Sequence, residues 1–285
     1  MNLLRFNYWE REPSGEEWEI EPLSFGKFSL IVGRNAAGKT RLLKAIARVA
    51  AQLSGEARVL QREFRYELEA DSHDLSGKKI WAQSLQYLPF SGGMNLKVAS
   101  GGTNAFLDVA EVFARGHKDF GDSFEAKVRE RLKRVAYPVE SFRLQEPLRL
   151  LVKQPGRKAA VAFSKLSQAQ QRATTFLSIV TLLELEGRSA TLLVDDFGEG
   201  LDYESAIQLT KLLLELNSPL QFLLTSNDRY VMNTVPLEHW TVLVEEGTRT
   251  RVFNYANSRQ KFDDFKFTGL SNFDFFSMDF ARAAE

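Results

Sequence analysis

Gly33, Gly38, Lys39 and Thr40 stand at the spacing G-x-x-x-x-G-K-T within IVGRNAAGKT, Ile31 to Thr40. Glycines let a backbone wrap closely enough for successive N–H groups to face a phosphate, and a following helix adds its N-terminal dipole. Arg34, Asn35, Ala36 and Ala37 complete the loop and Arg41 follows it. Lys39 is placed to reach the β- and γ-phosphates of ATP, and Thr40 to give its hydroxyl to Mg²⁺. A second acidic cluster lies in TLLVDDFGEGLD, where an apolar run ends on Asp195 and Asp196. Beside a phosphate loop, Asp195 is the candidate Mg²⁺ ligand, direct or through water. Asp196 is then the candidate general base on the attacking water. Taken alone, the acid pair also reads as a helix cap.

These groups need rigid elements beneath them. The sequence predicts strands near Leu3–Tyr8, Trp18–Leu23 and over FSLIV, then a helix from Thr40 to Leu53 with Leu42, Ile46, Val49 and Leu53 on one stripe. Phe64, Tyr66 and Leu68 alternate with charges, and Ile80–Leu88 is expected to pair with that strand. Ser91–Gly102 is glycine-rich and expected as a mobile loop. Helices follow at about 105–115 and 124–135, then strands near 148–153 and 159–163, and a long helix from Gln168 to Glu186. Strand 191–194, helix 203–216, strand 221–225 and strands near 241–245 and 251–255 complete an α/β pattern, with helices on the faces of a sheet.

Composition narrows the classes. Hydrophobic residues make up 44% and charged residues 26%, ordinary values for a soluble domain. No apolar run approaches the roughly 20 residues that span a bilayer. The chain has no cysteine, which removes disulfides and thiolate metal sites and fits a cytoplasmic protein. His73, His117 and His239 are too scattered for a histidine metal site. Basic and acidic residues balance at 37 each, so any nucleic-acid binding requires a local patch. The candidate patch is KVRERLKR, which equally reads as a solvated helix face.

LSQAQQR, Leu166 to Arg172, is similar to the Leu-Ser-Gly-Gly-Gln signature of ABC-type ATPases, and DDFGEGLD resembles their metal strand and D-loop. These stretches resemble the RecF family of recombination mediators and, more broadly, the head domains of RecF- and SMC-like P-loop NTPases. The resemblance implies an ABC-type head, with a mixed central sheet, an N-terminal antiparallel β region and a helical lobe. It implies a single domain, 1–285, whose core is about 1–90 plus 159–260. The helical lobe would be 91–158 and an aromatic tail 261–285. It further implies that Ser167 and Gln170 serve the γ-phosphate held by a second copy, so that two ATPs lie between head-to-tail subunits. Ser167 also reads simply as a helix cap. By the same resemblance Gln86 is the Q-loop residue at the metal, with Gln83 second, and Ser226 takes the place of a switch histidine, where Asn227 could substitute.

Three departures from the family pattern point to slow hydrolysis. Gln168 and Ala169 replace the signature glycines, Asp196 replaces a glutamate, and Ser226 replaces the histidine. The stretch between Lys39 and Ser167 holds no heptad-rich arm, which argues against a long coiled coil. The expected function is an ATP-gated dimer acting on a DNA-processing or effector partner in genome maintenance or antiviral defence, with no membrane. The alternatives are a regulatory module that holds an effector inactive and, less favoured, a transporter subunit. The tail carries seven of the 22 phenylalanines, which either close the chain's own core or dock a partner.

Overall fold

The computed structural model describes residues 2–53, 63–70, 85–89, 96–98 and 106–278, with the backbone alone for 53, 85–89, 96–98 and 106–107. The N-terminal strands are β1 (Leu3–Arg11), β2 (Glu17–Ser24) and β3 (Phe28–Gly33), followed by helix α1 (Lys39–Leu53). Strands β4 (Glu63–Ala70), β5 (Leu85–Pro89), β6 (Leu96–Val98) and β7 (Phe106–Leu107) come next. Helices α2 (Val109–Phe120) and α3 (Asp122–Arg134) then lead to β8 (Ser141–Gln145), β9 (Arg149–Lys153) and β10 (Val161–Ala162). The rest is α4 (Gln168–Leu185), β11 (Ala190–Asp195), α5 (Tyr203–Glu215), β12 (Leu220–Thr225), α6 (Arg229–Thr234), β13 (Trp240–Glu246), β14 (Arg249–Asn254), α7 (Arg259–Lys266) and α8 (Asn272–Ser277).

Among the described residues, eleven strands form one mixed sheet in the order β4-β1-β2-β14-β13-β3-β12-β11-β5-β6-β7, and β10-β9-β8 form a small antiparallel sheet. β3, β12 and β11 are parallel neighbours, six residues each and buried throughout. Covered on both faces, they read as continuous apolar runs. Successive side chains serve opposite cores. Leu30, Val32, Leu192, Val194, Phe222 and Leu224 pack with the helices that follow β7. Ile31, Leu193, Leu223 and Leu243 pack with α1 and the N-terminal strands. Gln221 ties these layers together: buried, it donates to the carbonyls of Leu3 and Gly26 and accepts from the Leu3 amide and the Thr191 hydroxyl. A buried amide satisfied at both ends rigidifies its surroundings at little desolvation cost.

Three expectations are corrected. β5 does not pair with β4. It lies parallel to β11, while β4 pairs with β1 over most of its length. The local turn signal suggested a hairpin, but β1 offers β4 a long antiparallel edge. Residues 96–98 form a strand beside β5 rather than loop; the other residues of that glycine-rich stretch lie outside the described set. The strands expected near 148–153 and 159–163 are present as β9 and β10, but β8, with too few apolar residues to be legible, joins them in the small sheet. Three of the five basic residues in the KVRERLKR stretch of α3 are ion-paired, Lys127 and Arg131 with Glu184 and Arg134 with Glu215, while Arg129 and Lys133 are exposed.

The aromatic tail folds back on the protein. Phe262, Phe265 and Phe275 are fully buried, and Phe275 stacks on Phe262 at 4.7 Å and meets Trp240 edge-on at 6.3 Å. Phe267 is 89% exposed. Phe280 lies outside the described residues.

Candidate functional site

The loop after β3 is tightly built. A Cβ on Gly33 would stand 2.9 Å from the Leu243 carbonyl and 3.0 Å from Ala37 Cβ, so only glycine closes the turn there. Ala36 (φ 68°) and Gly38 (φ 88°) take left-handed backbone, and the Trp18 ring lies 3.3 Å from where a Gly38 Cβ would sit. Arg34, Asn35 and Ala36 form an exposed crest, whereas Ala37 is buried. Lys39 opens α1, and its buried Nζ donates to the carbonyls of Gly33 (2.7 Å) and Arg34 (3.1 Å). Burial holds its ammonium below the ordinary 10.5, against the upward pull of Asp196 and Asp195. The loop therefore keeps a cation beneath a crest flanked by Gly33 and Gly38, an arrangement suited to a phosphate.

β12 lies between β3 and β11, so the ends of three parallel strands meet at one edge of the sheet. Asp195, 4% exposed at the end of β11, accepts from Thr40 Oγ1 at 3.0 Å and from Thr225 Oγ1 at 2.7 Å on the same Oδ1. Asp196 sits at φ 54°, and its amide donates to Thr225 Oγ1 at 2.8 Å. A hydroxyl and a carboxylate within hydrogen-bond reach are hard oxygen donors, a set that fits Mg²⁺ completed by phosphate and water. No cluster of three or more His, Cys, Asp or Glu able to hold a metal occurs among the described residues. Thr225 escaped the sequence reading. Its signal was a polar residue closing LQFLLT, as Asp195 closes ATLLVD.

The structure corrects two expected site residues and qualifies a third. Ser226 is fully buried; its hydroxyl donates to the Phe197 carbonyl and accepts from the Asp228 amide. It cannot reach a phosphate, because the strand end turns it into the core. Asn227 faces the site instead, donating to Asn35 Oδ1 at 3.3 Å, and both line a cleft of about 470 Å³ with Asp196, Glu199 and Asp228. Gln86 is opposite Leu192, three residues before the β11 end where Asp195 faces Pro89. That is about 10 Å short of the metal position along the strand. Gln83 lies outside the described residues. Arg41 is engaged away from the loop: it pairs with buried Glu10 at 2.8 Å, lies 4.8 Å over the Trp18 ring, and approaches Glu12 and Glu16. Arg48 completes the Glu10 cluster at 2.6 Å, and burial pushes the adjoining Tyr8 hydroxyl up to about 12.

Ser167 caps α4. Its Oγ accepts from the Gln170 amide at 3.2 Å, while Gln170 Oε1 accepts from the Ser167 amide at 3.3 Å. Each side chain serves the other residue's backbone amide in an exposed capping box rather than joining the phosphate loop of its own chain. One turn later, Arg172 donates to the Glu199 carbonyl in the loop that follows Asp196. Gly200 (φ 76°) leaves Arg172 the space a Cβ would fill, and Gly198 (φ 90°) does the same for Val231.

No family model matches the sequence, and no curated protein matches it. Solved structures do. An SMC head bound to the C-terminal winged-helix domain of ScpA aligns over 89% of this chain and 97% of its own, at TM-score 0.59 and 13% identity. The SMC head domain from Thermotoga maritima aligns over 89% and 99%, at TM-score 0.53 and 15% identity. CbiO1 from Clostridium perfringens, part of the ABC transporter complex CbiONQ, aligns over 92% and 94%, at TM-score 0.50 and 15% identity. With a phosphate loop between β3 and α1 and an acid pair closing β11, the chain has the fold of an ABC-type ATPase head, a P-loop NTPase.

Proposed function

We propose that this protein binds and slowly hydrolyses ATP with Mg²⁺, and that ATP gates a head-to-tail dimer controlling a DNA-processing or effector partner in genome maintenance or antiviral defence, in the cytoplasm. The observation that carries the reading is the convergence of Lys39, Thr40, Asp195 and Asp196 on one sheet edge. Gly33 to Thr40 and Lys39 hold the phosphates, and Thr40 and Asp195 hold the metal. Bound Mg²⁺ would neutralise phosphate charge as the reaction proceeds. Asp196 orients or deprotonates the attacking water, and Asn227 faces the γ-phosphate side of the cleft. An aspartate base and an asparagine in place of a histidine support slow turnover.

The exposed cap at Ser167 supports action on a neighbour's nucleotide, since Ser167 and Gln170 do not serve the loop in their own chain. An SMC head captured with ScpA supports a protein partner. Light scattering of Asp196→Ala tests the reading. Mass should shift from monomer to dimer on adding Mg-ATP, because binding is kept while opening is blocked. ATP binding without any mass change would overturn the shared-site mechanism.

A further inference from the structure

The phosphate loop is held from outside its own segment by a tryptophan. Trp18 stands near the start of β2 and is 5% exposed. Its indole edge faces Gly38, where a Cβ would meet Cζ2 at 3.3 Å and Nε1 at 3.5 Å. The face of the same ring carries the Arg41 guanidinium at 4.8 Å, and Arg41 is itself held by buried Glu10 at 2.8 Å. One side chain therefore touches the residues on both sides of Lys39 and Thr40. Trp18 Nε1 donates to Thr250 Oγ1 at 3.0 Å. Thr250 is buried in β14, which runs parallel beside β2 with Thr250 opposite Ile20. Its Oγ1 also lies 3.5 Å from the Cβ position at Gly38.

Gly38 takes φ 88°, a backbone that favours glycine, and its carbonyl accepts the Leu42 amide at 2.8 Å as α1 begins. Amides at this start of a helix are the ones a phosphate draws on. Before an anion arrives, N–H groups that converge on one point repel each other, so packing must hold the loop in shape. Trp18 and Thr250 supply that packing from two strands outside the loop. The missing side chain at position 38 is what lets the indole edge come so close. The ring is buried and Arg41 already covers its face, so it holds the loop rather than a base.

We propose that Trp18 is a positioning residue of the nucleotide site. With Thr250 it wedges Gly38 and Arg41 into place, keeps the phosphate loop in its binding shape before nucleotide arrives, and so sets the affinity for phosphate. The inference rests on the ATP reading and names a residue outside the loop on which that site depends.

The test is isothermal titration calorimetry of the full chain with Mg-ATP, each variant held at a temperature where circular dichroism shows it folded. Trp18→Ala should weaken binding by about tenfold or more, because the loop loses its support. Trp18→Phe and Thr250→Val each break the Nε1–Oγ1 bond and should weaken it by about two- to tenfold, the reach of one hydrogen bond. Thr250→Ser keeps the acceptor and should bind as the parent does. Tripolyphosphate, which carries no base, should lose affinity by the same factors. The parent's tryptophan emission should change on adding Mg-ATP; Trp18→Phe should abolish that change and Trp9→Phe should keep it. If Trp18→Ala fails to fold, Trp18→Phe and the two Thr250 variants carry the test. Parent-like affinity in both Trp18→Phe and Thr250→Val would overturn the wedge while leaving ATP binding in place. So would a loss for ATP that tripolyphosphate does not share, or an emission change that survives in Trp18→Phe. A parent protein that binds no ATP would overturn the ATP reading itself, and the wedge with it.

Discussion

The Thr225 hydroxyl, fully buried at the end of β12, donates to Asp195 and accepts from the Asp196 amide. One side chain therefore sets the orientation of the candidate metal ligand and holds the strained backbone of the candidate base. Thr225→Val keeps the shape but strands the Asp196 amide and one acceptor position of Asp195. A buried polar group left unpaired costs about 1–3 kcal/mol. Denaturant midpoints should show that loss, and Mg-ATP binding should weaken along with it. Unchanged stability would mean that a water or another group takes over the hydroxyl's role. The Glu10 cluster works differently. Arg41 and Arg48 make a buried carboxylate tolerable, so it is read as fixing the first turns of α1 against β1 rather than as a source of net stability.

At the scale of elements, the loop from Asp195 to Asp202 is held at both ends. Thr225 and Ser226 fix its start, and Asp202 fixes its end by capping α5. Asp202 accepts from the Ser205 amide at 3.0 Å, the Ser205 hydroxyl at 2.8 Å and the Tyr137 hydroxyl at 2.7 Å. Burial pushes the Asp202 carboxyl upward, but these donors outweigh it and hold the carboxyl below its ordinary 3.8. The same contact and, foremost, burial push Tyr137 up to about 12. A carboxyl lowered in the folded state contributes stability that is present above pH 3.8 and is lost as pH falls below it. Asp202→Ala should cost about 1 kcal/mol at neutral pH. The gap between variant and parent should close as pH is lowered below 3.8 in urea melts. A gap that persists in acid would assign the loss to packing rather than to the charged cap.

For the whole molecule, the tail decides how the chain closes. Phe275 is fully buried against Phe262, Phe265 and Trp240. Phe275→Ala should destabilise the protein by about 3–5 kcal/mol, as core phenylalanine truncations do. Phe267→Ala, at 89% exposure, should stay within about 0.5 kcal/mol. Thermal melts of the two variants separate a closing core segment from a free docking peptide. Equal, small effects would favour docking.

The phosphate loop, the acid pair and the capped start of α4 were legible in the sequence because each is local. Glycines at fixed offsets, an apolar run ending on acids and a serine three residues before a glutamine carry their geometry with them. The alternation of strands and helices was legible for the same reason. What neighbours across the sheet decide was not. Thr225 became part of the site only because β12 lies between β3 and β11. Ser226 was lost to the core, and Asn227 lines the cleft, because one residue past a strand end reverses the side chain's direction. Gln86 failed because register, not sequence distance, sets how far along β5 it stands. The run on α3 is partly engaged by elements distant in sequence, since Glu184 takes Lys127 and Arg131 and Glu215 takes Arg134. Local spacing thus determined what chemistry the chain can do. Strand order and long-range charge pairing decided which side chains are free to do it.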